Sequence, residues 1–153
     1  MAVPSSITLY SLRRFFDDGN TGKTIYTAQT RATGGRDGRG TSADGELNVR
    51  LSPPGSGWPG SNPEQLLGVG WSACFIGALR RAGQNFAIRL PEDAAVAAEV
   101  SLGTTDGGAG FALSARLIVE LPGLAAEEKA RLVASAAAES SRRVAGTASP
   151  EAP

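Results

Sequence analysis

Histidine is absent from this chain of 153 residues, and cysteine occurs once, at Cys74. The first absence excludes a Ser-His-Asp triad, a Cys-His nucleophile pair and any histidine-ligated zinc or iron site. The second excludes an intramolecular disulfide, a CxxC redox pair and a cysteine-rich metal knuckle. No metal or cofactor is expected. Any chemistry must come from Cys74, carboxylates, arginines and hydroxyls.

An excess of charge is missing as well. Fifteen acidic residues balance fifteen basic ones, so no global field recruits nucleic acid or acidic lipid. Thirteen of the fifteen basic residues are arginine, and apart from the pairs Arg13-Arg14, Arg80-Arg81 and Arg142-Arg143 they are scattered. Nucleic acid is therefore not an expected partner. The longest apolar run, Leu66 to Leu79, has about fourteen residues, short of the roughly 20 a spanning helix needs. No membrane association is expected. The segment Met1 to Asn20 carries Arg13, Arg14, Asp17 and Asp18 without an apolar stretch, which is not a signal peptide. The expected location is the cytoplasm, where a free thiol stays reduced.

What is present reads as one α+β domain. Residues 1–22 form an N-terminal extension that ends in the turn-rich run Asp17 to Gly22, residues 23–140 the domain proper, and residues 141–153 a small, polar, disordered tail. Thr24 to Thr33 and Glu46 to Leu51 have strand character, with the glycine-rich loop Gly34 to Gly40 between them. Pro53 to Pro59 can only be a loop. Asn62 is placed to cap a helix, with Pro63 at its first position and Gln65 three residues after the cap. That helix, from Pro63 to about Arg81, is apolar nearly all round and is expected to be central and covered on several sides. Two alternating strands follow, with Val96, Ala98, Val100 and Leu102 on one face and Phe111 to Leu121 on the other strand, joined through Gly103 to Gly110. An amphipathic helix from about Ala125 to Glu139 ends the domain, with Leu132, Val133, Ala136 and Ala137 on its core side.

Cys74 lies inside the apolar helix. A lone cysteine there is either a small buried hydrophobe or an activated nucleophile. Spacing alone leaves both open. Gly34-Gly35 with Gly38 and Gly40 does not make a phosphate loop, since no Gly-Lys-Ser/Thr follows and no helix opens there.

Three segments carry a resemblance that separates the two. They are Tyr26-Thr27-Ala28 with Ala32-Thr33-Gly34-Gly35-Arg36-Asp37-Gly38; Asn62-Pro63-Glu64-Gln65-Leu66 running to Ser72-Ala73-Cys74-Phe75-Ile76-Gly77-Ala78-Leu79; and Leu121-Pro122-Gly123-Leu124. In that order the chain from Thr24 to about Ala138 resembles the organic hydroperoxide resistance (Ohr) proteins of the osmotically induced protein C (OsmC) superfamily. The resemblance implies an α+β fold in which an antiparallel sheet packs around a central helix, and an intertwined homodimer with active sites at the subunit interface. It implies a thiol-dependent peroxidase that reduces organic or fatty-acid hydroperoxides to alcohols. Cys74 falls on the attacking cysteine, Arg36 on the arginine that activates it, and Glu64 on the carboxylate that holds this arginine.

The match fails at one end. Where the family carries a second cysteine in a Val-Cys-Pro-Tyr-Ser segment, this chain has Ser140 within Ala138 to Arg143, and the closing strand is replaced. The expected enzyme is therefore a one-cysteine type. The Cys74 sulfenic acid would be resolved by an external dihydrolipoyl-type dithiol or a low-molecular-weight thiol. The alternative is a catalytically impaired binding or redox-sensing protein of the same fold.

These residue types suit that chemistry. An ordinary cysteine, with a pKa near 8.5, is only a few per cent thiolate at neutral pH, and a guanidinium that never deprotonates favours the thiolate. Glu64 would help only by clamping the arginine fork. Glu64 and Cys74 are ten residues apart, about 15 Å on an unbroken helix. Either Gly68 and Gly70 mark a bend, or the residues meet across a dimer interface.

Overall fold

The computed structural model describes Lys23 and residues 25–144; the N-terminal extension and most of the expected tail lie outside the described residues. The fold is α+β, as expected. Three short antiparallel strands come first: β1 (Thr30–Thr33), β2 (Arg39–Ser42) and β3 (Asn48–Arg50), in the order β1-β2-β3. A one-turn 3-10 helix, Gly35–Asp37, joins β1 to β2. Helix α1 spans Pro63–Phe86. Strands β4 (Ala95–Thr105) and β5 (Gly110–Glu120) pair along their whole length as a hairpin, and helix α2 (Ala126–Val144) follows.

Alternation positions the hairpin against α1. Val96, Ala98 and Val100 share a face with Leu117 and Val119 across the register Val96↔Val119 and Ala98↔Leu117. That face closes over Phe75, Ala78, Leu79 and Ala82 of α1, with Leu132 and Ala136 of α2 completing the core. Leu79 and Leu132 are fully buried, and truncating either to alanine is expected to cost about 2–5 kcal/mol. The two helices run antiparallel: Arg131 lies 4.6 Å above the Phe86 ring, while Glu139 pairs with Arg81 at 3.6 Å.

Three expectations need correction. Arg39 and Gly40, placed in the Gly34 to Gly40 loop, instead open strand β2 (Arg39–Ser42), because β1 and β3 supply partners on both sides. Helix α1 does not stop near Arg81. It continues to Phe86 and ends in a Schellman-type turn, with Ala87 N–H donating to Gln84 O at 3.4 Å and Ile88 N–H to Gly83 O at 2.9 Å. Gly83 is needed because a Cβ there would come within 2.5 Å of Ile88 O. Lastly, α2 runs five residues past Glu139, to Val144.

The cover on α1 is also narrower than its composition suggests. Within the chain it packs against β4 on one side and α2 on another. Val69 remains 72% exposed and Leu67 43%, and at the far end of the hairpin Leu102, Leu113 and Phe111 are also exposed. Among the described residues, nothing therefore covers a third face of this apolar helix.

Candidate functional site

The first half of the site begins with the turn after β1. Gly34 and Gly35 adopt positive φ, 72° and 68°, and Gly38 N–H donates to Gly35 O at 3.3 Å. At Gly38 a Cβ would stand 1.8 Å from Thr33 O, so only glycine fits. This closed turn presents Arg36.

The second half is the N-terminus of α1. Asn62 Oδ1 accepts from Gln65 N–H at 2.8 Å, and Gln65 Oε1 accepts from Asn62 N–H at 2.9 Å, a reciprocal capping box with Pro63 inside it. Glu64 sits between them in the first turn. Both halves hang on one strand end. Leu51 N–H donates to Gly38 O at 2.9 Å, Ser61 N–H to Arg50 O at 2.9 Å, and Ser52 N–H to Ser61 O at 3.1 Å.

The result is a direct ion pair: Arg36 Nη2 donates to Glu64 Oε2 at 2.6 Å. The Glu64 side chain is 11% exposed and that of Arg36 45%. The Arg36 hydrogen bond holds the Glu64 carboxyl below its usual range, against the opposing effect of burial, and the residue's own backbone N–H adds to the lowering. An ion pair this exposed contributes little to stability. It does orient a guanidinium.

The pair borders an open cleft of about 1000 Å³, whose apolar wall comes from α1 and β4, including Val69, Val96, Val100 and Leu102. Pro54 and Ser72 also line it, neither of which the sequence marks as a site residue. Their signal would have been positional: Ser72 lies two turns past Glu64 on one helix face.

Cys74 is not among the residues lining this cleft, and it is exposed rather than buried as the sequence suggests. Helix α1 is continuous through Gly68 and Gly70, so no bend brings Cys74 back. Regular geometry sets it about 15 Å along the axis from Glu64 and about 150° around from the middle of the cleft-facing side. One chain thus brings Arg36 and Glu64 together and leaves Cys74 apart from them. Among the described residues no cluster of three or more Cys, Asp or Glu side chains could hold a metal ion. No helix of the described residues is long and apolar enough to cross a membrane.

Comparison with known proteins decides the family. An organic hydroperoxide resistance protein of Xanthomonas axonopodis pv. citri is 40% identical over 115 residues, covering 72% of this chain and 80% of the relative. The chain belongs to the organic hydroperoxide resistance protein family. An organic hydroperoxide resistance protein of Legionella pneumophila, also described as OsmC, superposes with a TM-score of 0.72 at 36% identity, covering 80% of this chain and 90% of that one. A Vibrio cholerae protein assigned to organic hydroperoxide resistance, solved with captopril in one of its active sites, also gives 0.72, at 35% identity over 82% of this chain and 88% of that one. No protein-family model matches the chain.

Proposed function

We propose that this protein is a thiol peroxidase for organic hydroperoxides, with Cys74 as nucleophile, Arg36 as thiolate stabiliser and Glu64 as the group that orients Arg36. Membership of the Ohr family supports the peroxidase reading, and the Arg36–Glu64 pair at 2.6 Å is the observation that carries it. The Cys74 thiolate attacks the O–O bond; an S–O bond forms, the O–O bond breaks, and the alkoxide leaves and takes up a proton as the alcohol. The apolar wall of the cleft suits a hydrocarbon substituent better than hydrogen peroxide.

The working unit in this reading is a homodimer whose sites are shared. Arg36 and Glu64 of one subunit meet Cys74 of the other, since an unbroken α1 keeps them apart within a chain. The bare face of α1 and the exposed Leu102, Phe111 and Leu113 are the surfaces such a partner would cover.

Mixing the inactive Cys74→Ser variant with the slowed Arg36→Ala variant tests this. After subunit exchange a shared site is intact once in each heterodimer, so about one quarter of wild-type activity returns. No recovery, with exchange shown by mass, rejects the shared site.

Recycling uses an external thiol in the cytoplasm. A first thiol attacks the Cys74 sulfenic acid, releasing water and leaving a mixed disulfide; a second thiol frees Cys74 and carries away the disulfide. The Vibrio cholerae relative with captopril, itself a thiol, in an active site supports entry of a small thiol there. A second reading, an impaired sensor that is oxidised once, is favoured by the absence of any other cysteine. Sustained hydroperoxide consumption with dihydrolipoamide rejects it.

A further inference from the structure

We infer that Asn62 and Gln65 are positioning residues for the reaction, acting through Glu64; this rests on the role proposed above for Glu64. Their two hydrogen bonds, 2.8 and 2.9 Å, close a ring around residues 62–65, with Pro63 fixing φ inside it. Glu64 is the one residue of that ring whose side chain leaves it, toward Arg36. A helix start frays readily, because its first N–H groups lack partners within the helix. At this one, fraying would move the carboxylate away from the guanidinium.

The segment ahead of the box is pinned as firmly. Gly60 has φ 144°, and a Cβ there would approach Arg50 O to 2.8 Å, a contact that lets Ser61 N–H reach the same oxygen. The strand end that holds Ser61 also holds Gly38, the last residue of the Arg36 turn. The capping box is thus the final link in a chain of backbone contacts that fixes both partners of the ion pair relative to each other. Asn62 and Gln65 both border the cleft beside the guanidinium.

Glycine is a well tolerated N-cap, far less costly than alanine, whereas serine keeps an acceptor oxygen. This separates positioning from stability. The test is the second-order rate of Cys74 oxidation by cumene hydroperoxide, with thermal melting of each variant alongside. Asn62→Gly and Gln65→Ala should slow oxidation about threefold or more while melting close to wild type, and Asn62→Ser should restore most of the rate. In a Glu64→Ala background, Asn62→Gly should have no further effect, because its action passes through Glu64. Full rates in Asn62→Gly and Gln65→Ala, with Glu64→Ala slow, overturn the inference and spare the role of Glu64. A further drop on adding Asn62→Gly to Glu64→Ala also overturns it, showing that the cap acts by another route. A Glu64→Ala variant as fast as wild type overturns the role of Glu64 and this inference with it.

Discussion

Arg36 and Glu64, 28 residues apart in sequence, meet through a hydrogen bond of 2.6 Å between Nη2 and Oε2. One comes from a glycine-bounded turn and the other from a capped helix start, so the contact is made by two rigid local structures. If the guanidinium serves the thiolate, Arg36→Ala should slow hydroperoxide attack on Cys74 at least about tenfold without unfolding the protein. Arg36→Lys should recover little, because a point charge does not reproduce the fork that Glu64 holds. Stopped-flow loss of the thiol measures both; an alanine variant at wild-type speed removes Arg36 from the mechanism.

The same pair sets an acid limit. Glu64 is held below its ordinary value of 4.5, chiefly by Arg36. A carboxyl depressed in the fold adds stability that is fully present above the ordinary value and is lost as pH falls through the folded one. With Arg36 nearly half exposed the gain is under about 1 kcal/mol. Urea midpoints should therefore favour wild type over Glu64→Gln by a constant small margin from about pH 6 to 8, and the margin should shrink below 4.5. A margin that grows on acidification would show that Glu64 is not depressed.

Gly38→Ala should damage the protein more than Gly35→Ala. Both lie in the Arg36 turn, but a Cβ at Gly38 meets Thr33 O at 1.8 Å, while at Gly35 it meets nothing within 4 Å and bears only the strain of φ 68°. The first must move backbone, the second costs about 1–2 kcal/mol. The expected order of Cys74 oxidation rates is wild type, Gly35→Ala, Gly38→Ala. Equal rates for all three would mean that the turn does not position the arginine.

The parts visible in the sequence were those decided locally. Asn62-Pro63 marks a helix start because capping needs only neighbouring residues, and the alternation from Val96 to Leu102 and from Phe111 to Leu121 is enough to draw the hairpin. Strand β2 was invisible because Arg39-Gly40-Thr41-Ser42 has no alternation of its own and is made a strand by its neighbours. Gly83 imitates a helix stop, yet it is a helical residue that the returning backbone of Ile88 needs close. Arg36 and Glu64 could be linked only through resemblance, since nothing in the segment between them encodes their meeting. The exposure of Cys74 could not be read at all: an apolar helix does not say which of its faces one chain will cover.

A stabilising change follows from the end of α1. Ala87 is the only non-glycine at positive φ among the described residues, at 54°. That conformation costs an alanine roughly 1–2 kcal/mol, and glycine avoids it at the expense of about 0.5–1 kcal/mol of backbone entropy. Ala87→Gly should then gain on the order of 0.5 kcal/mol and melt a few degrees higher. Calorimetry showing a lower melting temperature would mean that the Ala87 methyl makes contacts worth more than the strain.

Recycling is the step most altered by this sequence. Cys74 is the only cysteine of the sequence, and by the resemblance Ser140 falls where the family carries its second thiol, so in the proposed cycle a sulfenic acid on Cys74 meets no second thiol within this sequence. A hydroxyl cannot replace it, because a disulfide needs two sulfurs. With hydroperoxide in excess and no reductant, the intermediate should pass to the sulfinic acid, which external thiols do not reverse. Intact-mass spectra should therefore show Cys74 gaining first one oxygen and then a second, while activity is lost in step with the second. Adding dihydrolipoamide early should hold the protein at the unmodified mass. A disulfide between the Cys74 residues of two subunits as the main product would show the two thiols side by side, and the shared Arg36–Cys74 site would have to be abandoned.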